Sequence, residues 1–497
     1  MRRTITAVAL VAGACVTAGL LPAGTAAARS GGGVGGHSDG GVVARSDGGA
    51  VARSDGLAVA RSGGAVAGHS DGGVVARSDG PAVARSGRPA TERVSVAADG
   101  TQGNGFSASP SISANGRYVA FSSQADNLVP GDTNGAEDVF VKDLVTGAVD
   151  RVSVTTDGIE GTGRSSAPMI SGDGRYVAFR SDAANLVPGD TNDEADVFVH
   201  DRRTGRTESP TAGTGTSPYG YGVQSFVLSA NGRTLAFGSG RSDLVPGDTN
   251  GADDIFAWDL RTRKLRRASV AGDGTQADAI SRFPTLSADG RTVGFTSEAS
   301  NLTDGRAGFR PPPLYPMYVH DLDTGRTSVA SRGSTGEVVG VTPETHLSPD
   351  GRYAIFDTPA DDVVPGDTNN TYDIFVRDLK TGTVRLASRA HDGAQGNGWA
   401  ADGRLSANNR YLFFNSVATN LVPGDTNGRD DGFVRDLKTG AVQRINLAHD
   451  GGQSTSWVND VVPDASGRLA AFDSRDEGLV PGDTNATGDV FVRRVTW

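Results

Sequence analysis

From Thr91 onward the chain alternates short apolar runs with tight polar turns, and this pattern recurs seven times. Two-residue turns, each followed by Arg, fall at Asn115-Gly116, Asp173-Gly174, Asn231-Gly232, Asp289-Gly290, Asp350-Gly351, Asn408-Asn409 and Ser466-Gly467. Their spacings are 58, 58, 58, 61, 58 and 58 residues. Asn-Gly and Asp-Gly accept the positive φ angles of a twisted two-residue hairpin, so each turn predicts a pair of strands. In the first unit Ser111-Ile112-Ser113 precedes the turn and Tyr118-Val119-Ala120-Phe121 follows it. A loop from Asn127 to Glu137 leads to a third run, Asp138-Val139-Phe140-Val141. Thr146-Gly147 then turns into a fourth, Asp150 to Val154. These runs are apolar on both faces, as expected of a sheet sandwiched between two others.

Four short strands per unit, repeated radially, leave few open sheet edges. The chain stops at Val490-Phe491-Val492, the third strand of the seventh unit. Arg93-Val94-Ser95-Val96, before the first unit, repeats Arg151-Val152-Ser153-Val154. The N-terminal segment therefore supplies the outer strand that the last unit lacks. A linear stack would instead carry atypical caps at both ends. The fold expected is all-β: a seven-bladed β-propeller of four-stranded blades, closed by the N-terminal strand on the last blade.

The phrase Ser-Ala-Asp-Gly-Arg before an apolar strand, then Asp-Val-Phe-Val and Asp-Leu-x-Thr-Gly, resembles TolB-like propeller repeats. Ser287 to Arg291, Asp196 to Val199 and Asp436 to Gly440 carry it, and the likeness spans residues 92–497. The unit count exceeds that of TolB by one blade, and the α/β domain that precedes the TolB propeller is not expected here. The resemblance implies a protein-binding scaffold most often, with lyases and hydrolase-bearing propellers among related folds.

Residues 1–28 have the layout of an export signal: Arg2-Arg3, an apolar run from Ile5 to Cys15, and small residues at Ala26-Ala27-Ala28. The apolar run is short for a bilayer span, and no later run is longer. A secreted, extracellular protein is expected. Cys15 is the only cysteine and falls within the signal, so the mature chain would hold no thiol. Ala12-Gly13-Ala14 lacks the large aliphatic residue of a lipid-attachment site, so no anchor at Cys15 is expected. Residues 29–90 repeat every eight positions, as in Arg53-Ser54-Asp55-Gly56-Leu57-Ala58-Val59-Ala60, with little to bury; they read as a disordered linker. The net charge of −11 opposes nucleic acid or an anionic membrane surface as partner. A monomer is expected.

Six units share Val-Pro-Gly-Asp-Thr-Asn with Asp four residues later. The trios are Asp132/Asn134/Asp138, Asp190/Asn192/Asp196, Asp248/Asn250/Asp254, Asp367/Asn369/Asp373, Asp425/Asn427/Asp431 and Asp483/Asn485/Asp489. Oxygen ligands at relative positions one, three and seven can wrap calcium, which makes calcium the candidate cofactor. Against that, three side chains fall short of the usual six to eight oxygens, and Asp and Asn also form metal-free turns. Turn formation is the preferred reading. Unit four departs: its loop runs Asn301-Leu302-Thr303-Asp304-Gly305 and later Arg310-Pro311-Pro312-Pro313-Leu314-Tyr315-Pro316, with Phe309 between. That loop is either drift in one copy or a surface for a partner.

No zinc motif or phosphate loop is present, and residues 91–497 hold no Gly-x-Ser-x-Gly elbow. His200 and His320 share the third-strand position of Lys142, Trp258 and Arg377, which reads as variable surface. Propeller ligands sit over the central channel, and the connections into the first strands carry Gln102, Asn104, Gln395, Asn397, Trp399 and Trp457 as ligand-binding candidates. Asp402, Asp460 and Arg404 are the nearby acid–base groups; no catalytic residue is assigned. The function expected is a secreted, non-catalytic scaffold for a protein or glycan. The alternative is a secreted polysaccharide lyase or glycoside hydrolase using the channel.

Overall fold

The computed structural model describes residues 90–303 and 314–497. The signal segment, the linker up to residue 89 and residues 304–313 of the unit-four loop lie outside the described residues.

The described residues contain twenty-eight strands and no helix, paired antiparallel into seven four-stranded sheets. Blade 1 runs Ser107–Ile112, Tyr118–Ser123, Asp138–Asp143 and Val149–Arg151, with neighbours in sequence also neighbours in the sheet. The closing sheet takes three strands from the C-terminus, Val458–Pro463, Leu469–Ser474 and Asp489–Arg494, and its fourth from Thr91–Arg93. Thr91 lies opposite Arg493 and Arg93 opposite Phe491, and the Val94 N–H continues the ladder to the Val490 carbonyl at 2.7 Å. The ring closes as the repeat of Arg-Val-Ser-Val anticipates.

Each first strand touches the first strands of the blades on either side, from blade 1 round to blade 7 and back. That cycle places the first strands innermost, around the axis. Third strands such as Asp138–Asp143 are buried along their whole length. Each blade stacks one aromatic pair across its second and third strands, Phe121 on Phe140 at 5.9 Å in blade 1 and Phe472 on Phe491 at 5.7 Å in blade 7. The turns behave as their residues require. Gly116 has φ +66°, and Asn409 holds the same left-handed position at φ +57° where blade six lacks glycine.

The first strands are longer than the apolar pattern shows. In blade 1 the strand starts at Ser107, four residues before Ser111, because a β-bulge between Ala108 and Ser111 breaks the alternation. The bulge recurs in blades 2, 4, 6 and 7. Its second residue, Ser109, Ala167, Phe283, Asp402 or Asp460, takes φ between +48° and +55° without being glycine. The fourth strand is shorter than expected, ending at Arg151, because Ser153 turns in to serve the third strand.

The third-strand position of His200 and His320 is not surface. His200 is 6% and His320 5% exposed, and each Nδ1 meets a threonine hydroxyl, Thr207 or Thr327. Those hydroxyls donate to the Val154 and Val270 carbonyls of the preceding blade. Lys142, Arg377 and Arg435 reach the end of the preceding blade directly, donating to the Ala97, Ala330 and Ala387 carbonyls. The side chains vary because several donors can bridge to one or another carbonyl at the end of the preceding blade.

Candidate functional site

The six acidic loops come first, because their carboxylates have partners inside the fold. In blade 1, Ser153 Oγ donates to Asp138, and Asn134 Nδ2 donates to Asp138 and to the Gly161 carbonyl. Arg151, from the fourth strand, sits between Asp132 at 3.1 Å and Asp138 at 3.4 Å. Arg267 bridges Asp248 and Asp254, Arg444 bridges Asp425 and Asp431, and Arg93 bridges Asp483 and Asp489. In blade 5 an amide does this: Gln395 Nε2 donates to Asp367 at 2.6 Å and Asp373 at 2.8 Å. Gln102 does the same for Asp483 and Asp489, beside Arg93. In blade 2 Ser209 occupies the arginine's place; Asp196 is held by the side chains of Thr211 and Asn192, Asp190 by backbone N–H groups of Gly213 and Asn192, and Arg241 acts from farther away.

The middle residue of each trio is also engaged within the fold. Asn250, Asn427 and Asn485 repeat the pattern of Asn134: each donates its amide to the third-strand Asp, which is Asp254, Asp431 or Asp489. The same amides reach the carbonyls of Ala277, Ser454 and Gly103 in the next connection. Asn369 donates to the corresponding Gly396 carbonyl at 3.0 Å. The side-chain oxygen, the atom calcium would need, accepts a backbone N–H two residues on. Ala252 supplies it to Asn250, Thr371 to Asn369, Arg429 to Asn427 and Thr487 to Asn485. This is the turn-forming role of asparagine.

A cation between these carboxylates would have to displace a guanidinium or amide that already donates to the same oxygens. Among the described residues no three His, Cys, Asp or Glu side chains converge as a metal-binding group. The loops fit an arginine clasp better than an ion cage. Burial and the neighbouring carboxylate still leave a cost: Asp132 and Asp190 are pushed up to about 6.

Of the ligand-binding candidates, Gln102 and Gln395 therefore belong to the clasps and not to the channel. Asn104 and Asn397 pin the loop after the second strand: Asn104 Nδ2 donates to Asp126, and Asn397 Nδ2 to Thr419 Oγ1. Trp399 and Trp457 lie beside the innermost strands. They stand at equivalent positions directly before the first strands of blades 6 and 7, and Trp457 is 45% exposed. Tyr372 joins them, since its carbonyl accepts the Ala400 N–H where the blade-6 first strand begins. On blades 3 and 4, Tyr219 stacks on Tyr221, and Phe283 is exposed at its bulge.

Polar chemistry gathers on blades 5 to 7 at the same mouth. Glu344, Asp402 and Asp460 occupy the bulge position in these three blades; the other four carry Ser109, Ala167, Ser225 and Phe283. His346 Nε2 contacts Asp402 Oδ1 at 2.8 Å across the blade boundary, and Arg404 donates to both oxygens of Asp402. Burial pushes Asp402 up, but Arg404 and His346 outweigh it and hold the carboxyl below the usual range. Burial and Arg404 keep the His346 ring neutral by lowering its pKa.

The remaining carboxyls move the other way. Burial raises Asp460, with Asp402 adding to it, and burial raises Asp473, with Asp460 adding to it. Asp357 rises well above its ordinary value through burial, against a 2.6 Å hydrogen bond from Thr342. Asp430 reaches about 8, from burial and from adjacent Asp431. One oxygen each of Asp357, Asp430, Asp473 and Asn415 is buried without a hydrogen-bond partner. Asp402, Asp460 and Arg404 are visible in the sequence as nearby acid–base groups; Asp357, Asp430 and Asp473 escape it. Their signal is present, because the same positions hold Ser122 and Gly488 elsewhere and polar residues in a strand interior need a reason.

No family model and no curated protein matches the chain. Solved structures do. TolB from Acinetobacter baumannii aligns at 15% identity and TM-score 0.36, over 68% of this chain and 63% of that one. A protein assigned as TolB from Agrobacterium tumefaciens aligns at 15% identity and TM-score 0.35, over 70% of this chain and 94% of that one. An oligogalacturonate lyase from Vibrio parahaemolyticus aligns at 13% identity and TM-score 0.48, over 82% and 93%. The chain thus spans less than two thirds of the A. baumannii protein's length, and at these identities the likeness is one of fold alone. The seven-bladed β-propeller rests on its own strand pairing.

Proposed function

We propose that this protein is a secreted, non-catalytic binding module that holds a protein or glycan ligand over the channel mouth formed by the first-strand starts. The observation that carries it is asymmetry. Five of the six acidic loops keep a clasp, four through arginine and one through Gln395, while aromatic residues that depart from the repeat stand near the first-strand starts. There Trp457, Tyr372, Tyr219 and Phe283 are left exposed. Exposed aromatics beside polar groups on a rigid rim suit ligand contact, and constructing them by repeat drift alone would scatter them over both faces. Among the described residues no helix is long and apolar enough to cross a membrane. Secretion is inferred from residues 1–28.

The test is to screen the purified propeller against glycan and peptide libraries and to repeat each hit with Trp457→Ala. Ligands that weaken tenfold or more with the variant support the reading. Hits that ignore Trp457, Tyr372 and Phe283 alike would move the site elsewhere.

A secreted polysaccharide lyase or hydrolase is the second reading, favoured by one observation. Asp402, hydrogen-bonded to His346 and held below the usual carboxylate range, stands near Asp430, which is raised to about 8, the kind of divergence that separates base from acid. Release of products from a polysaccharide panel, lost in Asp402→Asn and in His346→Ala, would establish it. Calcium is proposed to have no structural role in the arginine-clasped loops; melting in calcium and in excess chelator should coincide, and a rise with calcium would reverse that view.

A further inference from the structure

The ring shows how it treats a carboxylate at the mouth. Glu137 precedes the third strand of blade 1, and Arg164, at the start of the next first strand, donates to it at 2.6 Å. Asp253 is the equivalent residue of blade 3, and Arg282 of blade 4 donates to it at 2.6 Å. Asp430 is the equivalent residue of blade 6. Its backbone carbonyl meets the Val458 N–H, so it sits at the same junction with the next first strand. Yet the two positions that supply arginine elsewhere hold Trp457 and Asn459 here. The acid is kept and its guanidinium is missing.

The gap is not closed by another cation. One oxygen of Asp430 is buried without a partner, and so is the Oδ1 of Asn415 beside it, a residue only 8% exposed. Asn415 draws Asp430 down only in part, and it spends its amide N–H on the Val458 carbonyl at 2.8 Å. Asp402 couples electrostatically to Asp430, and Asp460 to Asp402; Asp473 couples in turn to Asp460, and Glu344 and Asp357 to Asp402. Against these six carboxyls stand Arg404, already committed to Asp402, and a neutral His346. Trp457 stands at this junction, directly before the blade-7 first strand, and Trp399 holds the equivalent place at the blade 5–blade 6 junction.

We propose that the blade 6–blade 7 junction of the channel mouth is a receptor for a guanidinium group, an arginine side chain presented by a basic peptide or protein loop, which takes the place that Arg164 and Arg282 fill in blades 2 and 4. The proposal rests on the mouth-ligand reading above and names its ligand class. A guanidinium is preferred to a metal ion because, among the described residues, no three ligating side chains converge. Its planar fork matches spread carboxyl oxygens, and its face stacks on indole. The net charge of −11 favours a cationic partner at longer range. Binding should expel the proton that Asp430 holds at neutral pH, since an adjacent cation favours the ionised form.

The experiment is calorimetry at pH 7 with an acetylated, amidated Gly-Arg-Gly-Arg-Gly peptide, in two buffers of different ionisation enthalpy. A second peptide carries citrulline at both arginines, which keeps shape and removes charge. The expected result is binding of the arginine peptide with net proton release, at least tenfold weaker binding of the citrulline peptide, and a comparable loss in Asp430→Asn. Trp457→Arg should restore the internal clamp, abolish peptide binding and raise the melting temperature, so a folded variant reports the same site. Equal binding of both peptides, or arginine binding indifferent to Asp430→Asn and Trp457→Arg, would overturn the proposal. A neutral oligosaccharide that binds through Trp457 while the arginine peptide does not would overturn it and leave the mouth-ligand reading standing. Binding of neither, with no library ligand sensitive to Trp457, would remove both.

Discussion

Arg151 shows what single residues do in this ring. Its side chain is 10% exposed, and it lies between Asp132 at 3% and Asp138 at 0%. Removing the cation leaves two buried carboxylates facing each other, a change that costs about 3–5 kcal/mol. Arg151→Met should therefore lower unfolding free energy by about that amount in urea titration; a loss under about 1 kcal/mol would mean that the loop relaxes into solvent. The acidic loops also set a pH dependence. Asp132 and Asp190 titrate near 6 when folded and near the ordinary carboxylate value when unfolded. The folded state binds the extra protons, so their contribution to stability grows as pH falls from about 6 to about 4 and is lost as pH rises through 6. Asp201 and Asp378 run opposite: hydrogen bonds from Arg175 and Arg352 draw them down to about 2. Their contribution is present above about 4 and is lost as pH falls toward 2. Urea midpoints measured from pH 2 to 8 should peak between about pH 4 and 5; a monotonic rise to pH 8 would contradict the raised values.

At the scale of the element, the repeat motif becomes intelligible as two linked devices. In blades 1, 2, 3, 5 and 6 the Arg after the hairpin turn reaches the Asp that ends the third strand, as Arg117 does to Asp143 at 2.8 Å. The same Asp143 accepts the Val145 N–H and so caps the next turn. Arg117 also lies over the Tyr118 ring at 4.9 Å. This is why Gly-Arg and Asp-Leu-x-Thr-Gly recur together in the sequence. The stacked phenyl pair is the blade's main apolar investment, and Phe140→Ala should cost about 3–5 kcal/mol through lost transfer energy and the cavity left. A much smaller loss would mean that the sheets collapse onto the gap. The bulge makes a finer test. Ser109 sits at φ +53°, where a β-branched residue is strained and glycine is not. Ser109→Gly should leave the melting temperature within a degree or so of the parent, while Ser109→Val should lower it clearly. Equal effects would show that the bulge relaxes.

For the whole molecule, closure is the decisive contact. The N-terminal segment supplies more than a strand: Arg93 clasps Asp483 and Asp489, Ser95 Oγ donates to Asp489, and Gln102 donates to both carboxylates. The last acidic loop is thus completed by residues nearly four hundred positions away. Deleting residues 88–96 should expose the edge of Asp489–Arg494 and leave the loop acids without their cation. The expected outcome is a broad, early unfolding transition in calorimetry with dimers or aggregates on a sizing column, because an open edge invites pairing. A sharp transition at the parent temperature would show that seven blades hold without the seam.

Much of this was written in the chain. The turn spacing, the Arg-Val-Ser-Val echo and the missing last strand determined the number of blades, the strands per blade and the mode of closure, because those features depend on local turn chemistry and on repetition. The acid trios were equally plain as a pattern. What filled them was not: Arg151 is thirteen residues beyond Asp138, and Gln102 lies on the other end of the chain from Asp483, so only closure of sheet and ring makes them partners. The bulges hid the starts of the first strands, since positive φ at Ser109 or Asp402 interrupts the alternation by which strands are recognised. His200 and His320 looked like variable surface because the sequence shows which residues vary and not what they point at. The channel mouth was decided last and only in three dimensions. His346 comes from blade 5, Asp402 and Asp430 from blade 6 and Asp460 from blade 7, each separated from the next by about half a repeat or more. Their shared environment exists because the ring brings equivalent positions of neighbouring blades side by side around one axis.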